Sequence, residues 1–244
     1  MSAALCLLLV LVGFPALAAE SALHERLFQA AGWPQQREHF QAALRHAQQR
    51  YRDSLPAAVF QMLVINSNQR FQAQDMDRRA LNALRAGLPD PAPALAFFDS
   101  PLGRKVVAAE IKASSPAALN RAPPAVALSA PRRALLQRLS EVVPAAEAGV
   151  EVSLALAGVA ADSLSQMIPG LPVGMASQGV LNDQRERLRR QVEPQLVEGL
   201  GHVYRPLNDA ELQRFVQFAE SADGQRYYQA ALAALRASLQ GNGG

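Results

Sequence analysis

A chain of 244 residues, half of them hydrophobic and 6% aromatic, carries enough apolar material for one large or two small packed domains, which excludes wholesale disorder. Its net charge of +3 comes almost entirely from arginine, with Lys105 and Lys112 the only lysines, and no basic stripe of the kind that grips nucleic acid stands out. Ala, Leu, Gln and Arg dominate, all good helix formers, so the composition points to an all-α fold.

The first element is an uncharged apolar run from Ala3 to Val12, followed by Pro15 and the small residues of Ala16-Leu17-Ala18. Residues 1–19 read as a secretory signal peptide cleaved after Ala18 or Ala19. The run is shorter than a membrane-spanning helix needs. The only cysteine, Cys6, lies inside it, so a cleaved chain has neither disulfide nor thiol nucleophile. The expected location is the bacterial periplasm, with secretion as the alternative.

Beyond the leader, Ser21 to Ala31 reads as a helix stopped at Gly32. Pro34 to Asp53 places Phe40, Leu44, Ala47 and Tyr51 on one helical face. Pro56 opens a helix that buries Val59, Phe60, Leu63, Val64 and Phe71. Asp75 or Asp77 is expected to cap the next helix, which runs to Gly87. After the proline-rich break at Leu88–Leu95, Ser100 caps a helix opened by Pro101. Residues 113–131, rich in Ala, Pro and Ser, read as a linker between an N-terminal half (20–112) and a C-terminal half (132–244). Helices are expected from Pro131 to Val143, from Pro144 to Ile168 and from Asn182 to Tyr204, the last bent at Pro194 or broken near Gly199 and Gly201. Asn208 and Glu211 form a capping-box pair ahead of Leu212, Phe215, Val216 and Ala219, and Ser221 caps the final helix.

One pattern occurs twice. Phe97, Asp99, Ser100, Gly103 and Lys105 match Phe218, Glu220, Ser221, Gly224 and Arg226 at identical spacing. Each set reads as a helix–corner–helix unit. The phenylalanine closes one apolar face, serine caps the next helix, and the acid sits near a positive helix start. Glycine, costly by about 1 kcal/mol in a helix interior, marks a close approach. Upstream, Leu23–Gly32 resembles Leu135–Pro144, so an internal repeat is expected, with about nine residues inserted between the matching blocks.

The stretches Ala94–Val107 and Tyr204–Tyr228 resemble the aromatic Ser-Pro-x-Gly core of the domain of unknown function 2059 family. The resemblance implies a secreted, helical bacterial protein. Two departures are the proline-rich segment before Ala94 and Ala222 in place of the proline after serine.

Catalytic signatures are sparse. His39 and His46 stand two helical turns apart, no His-Glu-x-x-His occurs, and the four histidines read as solvated surface residues; no metal and no cofactor is expected. Gly170–Gly179 lacks the Gly-Lys-Ser/Thr ending of a phosphate loop. Asp183, Glu186, Arg189 and their neighbours form i,i+4 pairs on a solvated face. Tyr227 and Tyr228 read as core plus rim. The expectation is a non-enzymatic helical protein that binds an envelope partner, with no nucleic acid and no membrane span after cleavage. Two alternatives stay open. One is a hydrolase that gathers Asp99, Ser100, His39 or His46 and arginines in one cleft. The other is a small-ligand or anion carrier seated at the Ser100 or Ser221 helix starts, with Arg104, Lys105, Lys112 or Arg226 nearby.

Overall fold

The computed structural model describes residues 14–119, 127–167 and 178–240, and over these the chain is all-α. Helices α1 (Phe14–Ala30) and α2 (Trp33–Gln49) meet at Gly32. Its φ of 76° lies in the left-handed region, and a Cβ there would stand 2.8 Å from the Val107 side chain. The expected cleavage point falls in the first turns of α1, whereas its core residues Leu27 and Phe28 lie beyond it. α3 (Ala57–Arg70) follows Pro56, and α4 (Ala73–Gly87) buries Met76, Ala80 and Leu84 at four-residue spacing. Neither Asp75 nor Asp77 caps α4. Gln72 holds that place, and the aspartates pair instead with Arg78 (2.5 Å) and Arg37 (3.3 Å).

α5 (Ala92–Phe98) and α6 (Pro101–Ser114) flank the first corner. α6 ends inside the expected linker, where Pro116–Leu119 forms a short α7; residues 120–126 lie outside the described segments. α8 (Ala130–Val142) starts from Ser129, whose hydroxyl accepts from the Arg132 N–H, and α9 spans Ala145–Met167. Most of the Gly170–Gly179 loop is also outside the described residues. α10 (Gln178–Val192) and α11 (Leu196–Val203) are separated by a 3₁₀ turn at Glu193–Gln195, so the break sits at Pro194. Proline has no N–H to continue the ladder. Asn208 and Glu211 form both bonds of the capping box ahead of α12 (Asp209–Glu220), and α13 (Ala222–Leu239) ends the fold.

α1 lies against α4 and α5, and α8 lies against α11 and α12. α13 runs along α4, and α6 reaches across to α11. The main core therefore draws on both halves, with Leu27, Leu84 and Val106 meeting Leu136, Leu212 and Phe215. A smaller core joins Phe40, Leu63, Phe71 and Met76 to Val159 and Leu239. Arg79 of α4 fastens the α4–α13 pair by donating to the Ala237 and Ser238 carbonyls at 3.1 and 2.9 Å. There it meets the negative end of the α13 dipole. Glu151 of α9 is buried and held by Arg185 (3.1 Å) and Arg236 (2.9 Å), which ties α9 to α10 and α13. Among the described residues no single helix is long and apolar enough to cross a membrane.

Candidate functional site: an aromatic cleft around Glu110

The two corners are built alike. The Ser100 hydroxyl accepts from the Gly103 N–H at 3.0 Å, and the Ser221 hydroxyl accepts from Gly224 at 3.0 Å. In each, the carbonyl of the preceding phenylalanine presses on the glycine. An added Cβ would lie 2.1 Å from Phe97 O at Gly103 and 1.9 Å from Phe218 O at Gly224. That contact fixes the Phe-to-Ser-to-Gly spacing, because the chain turns too tightly to admit a side chain six residues beyond the phenylalanine. Phe97 and Phe218 stack face to face, with ring centres 3.8 Å apart and planes 3° from parallel. Asp99 pairs with Arg26, and Glu220 accepts two bonds from Arg138, which hold its carboxyl below the usual range. Arg26 and Arg138 occupy matching places in the two upstream segments that resemble each other.

The polar groups of these corners are thus engaged within the chain. Lys105 reaches Glu211 at 2.7 Å, and Arg226 pairs with Asp223. The catalytic constellation does not assemble. His39 bonds the Ser114 hydroxyl at 2.9 Å, and Ser114 closes α6 while Ser100 opens it, about 20 Å away along the helix. His46 is exposed. The histidines are not uniformly solvated either. His24 is 2% exposed, with one ring nitrogen 2.9 Å from Glu20 O and the other 2.8 Å from Leu88 O.

What the helices do bring together is a cleft of about 420 Å³, lined by α2, α6, α11 and α13 and by the start of α9. Its walls are mainly Trp33, Phe98, Val143, Leu200, Tyr227 and Tyr228, and Glu110 is the only acidic or basic residue among them. Glu110 sits on the buried stripe of α6, one turn beyond Val106. Its carboxyl lies deep among protein atoms, though the cleft leaves the residue partly accessible. Its one hydrogen bond comes from the Tyr204 hydroxyl at 2.6 Å. Burial pushes its pKa up to about 7, and the Tyr204 bond offsets part of that rise. Burial and the nearby Glu110 charge push the Tyr204 and Tyr228 hydroxyls well above their ordinary range. The Trp33 indole donates toward Tyr227, while the enclosed Tyr228 hydroxyl has no partner among the described residues.

A second cavity of about 320 Å³ lies beside the first, sharing Trp33, Gln36, Ser114, Ala148 and Leu235 in its lining. It adds Phe40, Met76, Val152 and Leu239, and it reaches Arg37, His39 and Asp77. Burial raises the Asp77 carboxyl, with Arg37 opposing. Roomier clefts of about 640 and 850 Å³ lie along α2–α3 and α1–α4, but they are lined largely by glutamines, arginines and surface acids. Neither contains a carboxylate as deeply enclosed as Glu110. No three His, Asp or Glu side chains among the described residues are grouped to hold a metal.

Sequence reasoning missed Glu110 and Tyr204. The one local signal was an acid on an apolar stripe, at Val106-Val107-x-x-Glu110. No family model, no curated protein and no solved structure matches the chain.

Proposed function

We propose that the chain is an exported, non-enzymatic binding protein of the cell envelope that holds a small amphipathic molecule in the Glu110 cleft. The single observation carrying this reading is a carboxylate enclosed by aromatic walls with no cation beside it. Once ionised, such a group costs stability that its single bond from Tyr204 offsets only in part, and a bound ligand would supply the rest. Ala231, which matches Glu110 in the register that pairs Phe97 with Phe218, lines the same cleft, so an alanine suits that place structurally. The volume falls within the range of small-molecule sites, and mostly apolar walls with a few convergent polar groups are their usual makeup.

The test is a thermal-shift screen of small envelope metabolites on the mature protein and on Ala231→Phe, which fills the cleft. Ligands are expected to raise the melting temperature of the first and not the second. A screen flat for both, or shifts equal in both, overturns the reading. Export is expected to leave a mature N-terminus at Ala19 or Glu20, since the core residues of α1 begin after it; Edman sequencing of envelope material reads this directly.

A second reading, an envelope protein partner, draws on Met62 and Ile65, large apolar residues exposed on α3. Crosslinking in envelope extract, with and without Ile65→Lys, separates it from the first. Duplication of one ancestral unit is supported by the matched corners, the matched Arg–acid pairs and the Phe97–Phe218 stack. The resemblance to the domain of unknown function 2059 family then rests on that corner.

A further inference from the structure

We infer that the ligand is a hydrophobic organic monocation, its ammonium group against Glu110 and its apolar tail directed toward Phe40, Met76 and Leu239. The inference rests on the cleft being a binding site and adds the chemistry of its occupant.

The first argument is charge. The two enclosed carboxylates of the described fold are treated differently. Glu151 has two arginines within 3.1 Å, whereas Glu110 has only a tyrosine hydroxyl. Every other residue lining the cleft around Glu110 is uncharged. α11 offers Tyr204, α13 offers Tyr227 and Tyr228, α2 offers Trp33 and Gln36, and α9 contributes alanines. An ionised Glu110 therefore lacks a counter-charge until something supplies one from outside. An anionic amphiphile would meet the carboxylate with no cation to offset it.

The second argument is the wall. The only tryptophan of the chain and three of its four tyrosines surround this one acid. Aromatic faces are negative and attract a cation placed over them, most strongly where water is excluded. The tyrosine hydroxyls stay protonated at neutral pH, so the site carries a single negative charge and matches one ammonium rather than a polyamine.

The third argument is the shape. The second cavity lies beside the first, with Trp33 and Leu235 in the walls of both, and its apolar lining of Phe40, Met76 and Leu239 suits the tail of a molecule whose charged head sits at Glu110. The Arg37–Asp77 pair and His39 stand at this remote part and not at Glu110.

Because Trp33 lines both cavities, its fluorescence reports occupancy without a label. The experiment titrates the full mature protein with three probes of one skeleton: 4-phenylbutyltrimethylammonium, 4-phenylbutanol and 5-phenylpentanoate. At about pH 8 the cation is expected to bind at least about tenfold more tightly than the alcohol, and the carboxylate more weakly than either. The cation preference is expected to shrink at about pH 5, where Glu110 is protonated. Glu110→Gln is expected to erase the preference while still binding the alcohol. Equal binding of cation and alcohol at about pH 8, or a preference that survives Glu110→Gln, overturns the inference and leaves the binding site standing. No response to any of the three probes overturns both. The pH comparison on the unaltered protein decides the matter even if the variant fails to fold.

Discussion

Replacing Glu110 by glutamine should make the protein more stable, by an amount that depends on pH. The folded chain holds the Glu110 proton up to about pH 7, whereas an unfolded chain releases it near 4.5. For an acid whose pKa rises on folding, the folded state binds more protons between these values. Stability therefore falls as pH rises through that window. Each pKa unit is about 1.4 kcal/mol, so ionised Glu110 costs on the order of 3 kcal/mol at about pH 8 and less than about 1 kcal/mol at pH 5. Glutamine keeps the volume and still accepts from the Tyr204 hydroxyl, but it carries no charge. Urea unfolding of both proteins at the two pH values isolates the difference, because other titrating groups cancel in the comparison. At about 2–4 °C per kcal/mol for a chain of this size, the gain at pH 8 is roughly 6–12 °C in Tm. A glutamine variant no more stable than the parent at pH 8, or equally stabilised at both pH values, would refute the reasoning. A gain in stability bought with a loss of cation binding is the pattern expected of a functional rather than a structural carboxylate.

Further outcomes follow from the same geometry. Tyr204→Phe removes the bond that favours the ionised acid, so the stability difference between pH 5 and pH 8 should widen in urea titrations. Gly103→Ala and Gly224→Ala should each destabilise by more than about 2 kcal/mol, since the methyl meets a backbone carbonyl, whereas Gly199→Ala, with open space around it, should stabilise by up to about 1 kcal/mol. Three calorimetric melts of the same sign would contradict this. Glu151→Ala should cost about 2–3 kcal/mol in chemical denaturation, below the range for wholly buried pairs because Arg185 and Arg236 are partly exposed. A double-mutant cycle on Phe97→Leu and Phe218→Leu should give a coupling of about 1 kcal/mol, and additivity would argue that the stacked rings merely coexist.

Much of the helical framework was legible because its causes are local. Ser100, Ser221 and the Asn208–Glu211 box act on N–H groups two or three residues away, and the stripe Leu212, Phe215, Val216, Ala219 needs only the period of a helix. The repeat spacing pointed to a corner, and the corner's tightness supplied the reason for its glycine. The cap of α4 was misread because an aspartate near a helix start, such as Asp75 or Asp77, satisfies the same sequence pattern whether it caps or pairs with arginine. The cleft was out of reach for a different reason. Trp33, Glu110, Tyr204 and Tyr228 are spread over most of the chain, and no spacing rule relates them. His24 failed in the same way, since its second ring nitrogen lies against the carbonyl of Leu88, sixty-four residues later.

The pairing of α13 with α4 sets an order on biogenesis. The apolar side of α4 emerges from the ribosome well before the segment that will cover it, and until then Leu84 and Ala80 have no roof from that direction. Closure requires α4 and α13, which are far apart in the sequence, to find each other, a long-range search that slows folding. Until α13 has joined α4 the main core lacks one of its walls, so this pairing is among the late contacts a growing chain can make.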